Sequence, residues 1–216
     1  MQILKKGKKE FIMRYKKIVI KLFIGLFFIS LVSNSIRADE PGVTGKIIMD
    51  YIKNGLNILK DPSLSGPEKL EERKLKLWGE ISPIFNFNEM SKRSLGRYWN
   101  ERNAQEQNEF ANLFTVVLKD GYIGKTDSYS GEKLVYLREI TDDKHSKVQT
   151  KLVMNTGNEA FIDFKLFNNN GNWEIYDVII EGVSLVGNYR SQFNSILTRS
   201  SFSDLIEILK EKAGKG

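Results

Sequence analysis

Cysteine is absent from the 216 residues, and histidine occurs once. Without cysteine the chain can form neither disulfides nor thiolate metal sites, and redox chemistry does not mark its compartment. The lone histidine, His145, sits in an expected turn beside Asp142 and Asp143. A solvent-facing residue is expected there, and no triad or histidine metal site can be built around it. The chain also lacks a P-loop, a G-x-S-x-G elbow, an H-E-x-x-H helix and a dinucleotide fingerprint. No catalytic metal or organic cofactor is therefore expected. No internal repeat or low-complexity tract interrupts the sequence, and the length allows one ordinary domain, or one plus a tail.

The formal charge of +6 and the isoelectric point near 9.3 suggest an anionic partner such as nucleic acid. The distribution removes that suggestion. Residues 1–38 hold nine of the basic residues, from Lys5 to Arg37, against one acid, Glu10. Past residue 38 the balance is 24 basic to 26 acidic, a net of −2. No basic patch interleaved with aromatics remains, and nucleic-acid binding loses its support. The basic start is followed by an apolar run, Ile18 to Val32, broken by Lys21, and then by Ser33-Asn34-Ser35-Ile36-Arg37-Ala38. This order reads as a secretory signal peptide over residues 1–38, with a folded domain over 39–216. The run is short of the ~20 apolar residues that a membrane-spanning helix needs. Ile36 is larger than the residue preferred at its place before the cleavage point, which leaves an uncleaved anchor as the rival reading. Met13 offers a second start.

Beyond the leader the apolar spacing is first helical. Pro41–Lys60 carries Val43, Ile47, Ile48, Tyr51, Ile52, Leu56 and Leu59 on a wide face. Asp61-Pro62 and Ser65-Gly66-Pro67 break it. A second helix then runs to about Ser82, with Leu70, Leu77, Trp78 and Ile81 inward and the charged run Glu71–Lys76 in solvent. Asn88 is expected to open a short helix through Met90, Leu95 and Tyr98. Asn103 should cap a longer one bearing Phe110, Leu113, Phe114, Val117, Leu118 and Tyr122. Taken alone, that aromatic stripe reads as core.

From Lys133 the period becomes two. Four strands are expected, Lys133–Ile140, Lys147–Asn155, Glu159–Phe167 and Trp173–Glu181, joined by short turns and so antiparallel. The last two are apolar on both faces, with Ile162, Phe164, Leu166, Tyr176, Val178 and Ile180 on one and Phe161, Phe167, Trp173, Ile175 and Ile179 on the other. A sheet wet on one side would not show this. A three-residue loop, Asn169-Asn170-Gly171, sets Phe167 opposite Trp173 and Asp163 opposite Asp177, with Lys165 diagonal to the latter. An opposed carboxylate pair is the one enzyme-like feature of the sequence; a lysine-screened polar patch is the plainer reading. The fold class expected is α+β: a four-stranded, curved antiparallel sheet packed with N-terminal and C-terminal helices.

The fourth strand ends at Glu181-Gly182, and the spacing then turns helical through Leu185, Val186, Tyr189, Phe193, Ile196 and Leu197, with Ser184 as the expected cap. A last helix follows over Ser203–Lys212. The stretch YDVIIEGVSLVGNYRSQFNSIL, together with MSKRSLGRYWN ahead of QEQNEFANLFTVVLKDGYIGK, resembles the MlaC (toluene-tolerance auxiliary) family of periplasmic phospholipid-binding proteins. That resemblance implies an apolar lipid cavity between sheet and helices. It also implies partners: an inner-membrane MCE-domain protein with an ABC transporter, and an outer-membrane lipoprotein complex.

An acyl tail contributes about 0.8 kcal/mol per buried CH₂, so two tails of ~16 carbons are worth a gross ~25 kcal/mol. Such tails must lie inside the protein. On the resemblance, Tyr98, Trp99, Phe114, Leu118, Tyr122, Phe164, Val178, Ile180, Val183, Tyr189 and Phe193 are the candidate lining. Arg97 and Arg190 are candidates for the head-group mouth, since a guanidinium pairs well with phosphate; ordinary surface salt bridges are the rival role. Which sheet face meets the tails stays open. Two other classes also stay open, a cavity enzyme using Asp163 or Asp177 and a secreted interaction protein with a filled core.

Overall fold

Sequence periodicity and structure agree on where the helices lie, and side-chain caps explain where four of them begin. A computed structural model of the chain describes residues 40–123 and 131–214; the expected leader lies outside them. Six α-helices and a five-stranded antiparallel sheet are present among the described residues. Helix α1 (Val43–Lys60) buries Thr44, Ile48 and Gly55 on one stripe. Helix α2 (Leu70–Ile81) follows two short 3₁₀ turns begun by Pro62 and Pro67, where a missing N–H costs nothing. Its charged side forms exposed pairs, Lys69–Glu72, Lys74–Glu71 and Lys76–Glu72.

Helix α3 (Phe87–Leu95) starts one residue before the expected cap. Asn86, not Asn88, accepts a hydrogen bond from the Glu89 N–H at 2.7 Å, and its own amide donates to the Ile175 carbonyl of the sheet. That second bond decides the start. Helix α4 (Ala104–Tyr122) starts at the cap expected at Asn103, which Glu106 completes to a capping box. After the sheet come α5 (Leu185–Leu197), capped by Ser184, and α6 (Phe202–Ala213), whose Ser201–Asp204 box places its start ahead of Ser203.

The strands are β1 (Lys133–Thr141), β2 (His145–Val153), β3 (Glu159–Asn169), β4 (Asn172–Ile180) and a two-residue β5 (Val183–Ser184), in that spatial order. The fifth strand is an addition to the four expected. Glu181 and Gly182 both have positive φ, a tight turn that lays Val183 opposite Ile180.

The β3–β4 register differs from the sequence expectation twice over. The loop is two residues, Asn170 and Gly171 at φ 52° and 93°, so Asn169 pairs with Asn172 and Phe167 faces Glu174. A bulge at Tyr176 then adds one residue to β4. Lys165 faces Asp177, and Asp163 faces Ile179. The opposed aspartates do not form. The shorter loop puts Trp173 and Ile175 on the face of Leu166, and the bulge swings Tyr176 to the other side, against Phe167 and His145.

Two apolar cores result. One is helical, built from α3 to α6 around Phe110, Phe114, Tyr189, Phe193 and Leu205. The other lies between α1 and the inner sheet face, around Ile48, Tyr136, Val148, Leu166 and Ile175. Phe85 touches both. Its residue also pairs with Ile175 in an isolated parallel bridge, which ties the α2–α3 connection to the free edge of β4.

Candidate functional site

Register assigns the residues of the inner sheet face. Thr150 pairs with Ile162, Val148 with Phe164 and Ser146 with Leu166; across the next ladder Ile162 pairs with Ile180 and Phe164 with Val178. Paired residues share a face. One end of that face is closed: Val148 and Leu166 are fully buried and Ile175 is 1% exposed, beneath the first turns of α1. At the other end Ile162, Phe164, Val178 and Ile180 are only half-buried. The close approach of α1 to the sheet falls on β1 and β2, so these four side chains of β3 and β4 form an apolar strip beside the covering helix. Val183, 46% exposed, stands at its outer margin opposite Ile180.

Further half-buried apolar groups pack on the sheet core or join it through Phe85. Ile52 of α1 packs on the same core as Phe164 and Val178. Trp78 of α2 lies 5.3 Å from Phe87, which stacks at 5.6 Å on Phe85, and the Lys119 ammonium approaches the Trp78 ring at 6.0 Å. Ile162 belongs to this strip although it was not among the candidates; its place in the period-two pattern beside Phe164 was the available signal.

The expected lining therefore divides. Phe164, Val178, Ile180 and Val183 share the inner face or its margin. Trp99, Phe114, Leu118, Tyr189 and Phe193 are instead buried in the helical core. Phe114 meets Tyr189 edge-on at 4.8 Å and Phe193 at 5.5 Å, and Tyr189 and Phe193 lie 5.6 Å apart. Those rings are occupied with one another. Tyr98 is half-buried at the margin of that core, 3.5 Å from Asn194 through its hydroxyl. Tyr122 ends α4, and its side chain lies outside the described residues.

The two candidate arginines occupy the α3–α5 surface. Arg97 donates to the Tyr98 hydroxyl at 2.8 Å and lies 4.8 Å over that ring; the bond raises its pKa. Arg190 donates through Nε to the Arg93 carbonyl at 2.6 Å, closing the last turn of α3. Neither forms an ion pair among the described residues. Arg93 pairs with Glu89 at 2.7 Å and covers the Tyr176 ring at 4.1 Å. Burial pushes the Tyr176 phenol above its ordinary range, and the Arg93 charge opposes that shift.

Both aspartates of the enzyme reading face away from the strip and have structural partners. Asp163 pairs with Lys147 at 2.7 Å and accepts from Gln149 at 3.3 Å. Asp177, 4% exposed, accepts from the Ser184 hydroxyl at 2.7 Å and the Val186 N–H at 3.0 Å, anchoring the start of α5. A depression of about 190 Å³ lies at the outer end of the sheet, where Lys147, Lys165, His145 and Tyr176 meet. Drug-sized ligands occupy roughly 300–1,000 Å³, so it is too small for a phospholipid. What the arrangement can do chemically is hold an apolar ligand along the β3–β4 strip.

Comparison with known proteins agrees with that architecture. The chain is similar to the intermembrane phospholipid transport system binding protein MlaC of Haemophilus influenzae, 20% identical over 141 residues, which span 63% of this chain and 66% of that protein. It also resembles the solved phospholipid-binding protein from Ralstonia solanacearum, determined in complex with a phospholipid. The TM-score is 0.70 at 22% identity, covering 79% of this chain and 96% of that one, a likeness of fold. The family model described as MlaC protein matches residues 50–211, well over half of the sequence, and the chain belongs to the MlaC family.

Proposed function

We propose that this protein is a periplasmic carrier that binds phospholipid by its acyl tails and moves it between the inner and outer membranes, sustaining the lipid asymmetry of the outer membrane. It performs no covalent chemistry. One observation carries the reading: Ile162, Phe164, Val178 and Ile180 form a continuous apolar strip that the covering helix leaves half-open. Each such side chain would gain ~1.5–3 kcal/mol from full burial, and an acyl chain supplies that burial. Family membership and the phospholipid in the Ralstonia relative support the choice of ligand.

The gross energy of burying two tails makes release into water slow, so unloading requires contact with an acceptor. The family resemblance names those acceptors as an MCE-domain protein with its ABC transporter at the inner membrane and a lipoprotein complex at the outer one. Export depends on residues 1–38 acting as a cleaved leader, which the intact mass of the exported protein tests. The carrier activity is tested with labelled phospholipid and the exported protein. Transfer from labelled donor vesicles to the protein, isolated free of vesicles, is the expected result. A folded protein that takes up no labelled phospholipid contradicts it.

A further inference from the structure

Helix α1 begins without a cap of its own. Its N-cap is Gly42, which has no side chain to offer, where Ser, Thr, Asp or Asn is the usual choice. The missing acceptor comes from the sheet. Oε2 of Glu139, on β1, accepts from the Gly45 N–H and from the Thr44 hydroxyl at 3.0 Å. The carboxylate also suits the positive end of the helix dipole. The Thr44 hydroxyl lies 2.7 Å from that of Ser146 on β2, which lies 2.7 Å from the Thr141 hydroxyl. Thr44 is fully buried and Ser146 is 3% exposed. One carboxylate and three hydroxyls thus join the first turn of α1 to both strands beneath it.

The surrounding sequence is fitted to this contact. A Cβ on Gly42 would lie 2.0 Å from Glu139 Oε1, and one on Gly45 would lie 2.7 Å from Oε2 and 2.6 Å from the Tyr136 ring. Farther along, Gly55 lets α1 close on α2, where a Cβ would meet Leu77 at 3.2 Å and Ile81 at 3.4 Å. The two helices pack as a pair, and within the pair it is α1 that meets the sheet closely over β1 and β2.

We infer that Glu139 is a positioning residue for lipid binding: by fixing the N-terminus of α1 over β1 and β2, it keeps the β3–β4 strip open and aligned for an acyl chain. The inference rests on the carrier reading. Removing the clamp lets the N-terminal turns of α1 shift on the sheet, which loosens the grip on the ligand.

The test measures release of labelled phospholipid from the exported protein to acceptor vesicles, beside thermal unfolding. Glu139→Ala should release at least tenfold faster than the wild type. Glu139→Gln keeps an acceptor oxygen and should stay within about threefold. Should Glu139→Ala fail to fold, Thr44→Val, which keeps the shape and removes the hydroxyl, should still release severalfold faster. If the wild type loads normally and Glu139→Ala releases at the same rate with only a lower melting temperature, Glu139 is an ordinary cap and the clamp is overturned. The clamp is equally overturned if Glu139→Gln releases as fast as Glu139→Ala, or if Thr44→Val leaves release unchanged. A wild type that takes up no labelled phospholipid overturns the carrier reading instead, and the inference with it.

Discussion

Phe164 stands directly opposite Val178 across the β3–β4 ladder, on the sheet face that α1 covers only in part. Both side chains are half-buried in a protein whose neighbouring pair, Leu166 and Ile175, is almost fully enclosed. A charge placed at either position reaches water when no lipid is bound and meets hydrocarbon when it is. Phe164→Asp and Val178→Asp should therefore give folded protein that has lost its ligand. Circular dichroism reports the fold, and extraction of the purified protein reports the lipid.

The helical core should respond in the opposite way. Phe114 is fully buried and Tyr189 is 2% exposed, with their rings 4.8 Å apart. An aspartate at either site puts a charge deep among packed rings and away from water, a penalty of about 3–5 kcal/mol. Phe114→Asp and Tyr189→Asp should be unfolded or insoluble at temperatures where Phe164→Asp is folded. If Tyr189→Asp melts like the wild type and lacks lipid, the lining includes the helical aromatics and the division between strip and core fails.

Asp177 holds the junction between β4 and α5 by accepting from Ser184 and from the Val186 N–H. Asp177→Ala leaves both donors without their acceptor and should cost about 1–3 kcal/mol. For a domain of this size each kcal/mol lowers the melting temperature by about 2–4 °C. Asp177→Asn keeps one oxygen and should lose roughly half as much. Equal melting temperatures for all three proteins would remove the anchoring role.

Gly171 adopts φ 93° in the two-residue turn that sets the β3–β4 register. A β-branched residue is strained there by roughly 1–2 kcal/mol, so Gly171→Val should lower the melting temperature. Asn170→Gly, at φ 52°, should have little effect. Because the register places the strip, Gly171→Val should also weaken lipid retention more than its stability loss alone explains.

Local chemistry made most of the elements legible in the sequence. Asn103 with Glu106 and Ser184 ahead of Leu185 are caps that declare themselves, and the change of period at Lys133 marks the start of the sheet. The register was not legible. The bulge at Tyr176 has no sequence signal of its own, and with a loop one residue shorter than expected it moved Asp177 from Asp163 to Lys165. The candidate site divided for a related reason. Aromatic spacing in Phe114, Tyr189 and Phe193 is the same whether the rings meet lipid or one another, and only the assembled helices show that they meet one another. Glu139 stayed hidden because its partners, Thr44 and Gly45, are more than ninety residues away.

The central claim is that the half-open β3–β4 strip holds phospholipid. Mass spectrometry of lipid extracted from the exported protein, purified without detergent and compared with Phe164→Asp prepared in parallel, tests it most directly. Phospholipid in stoichiometric amount from the wild type, and none from a folded Phe164→Asp, is the expected result. A folded wild type that yields no phospholipid, or a Phe164→Asp protein that retains as much as the wild type, contradicts it.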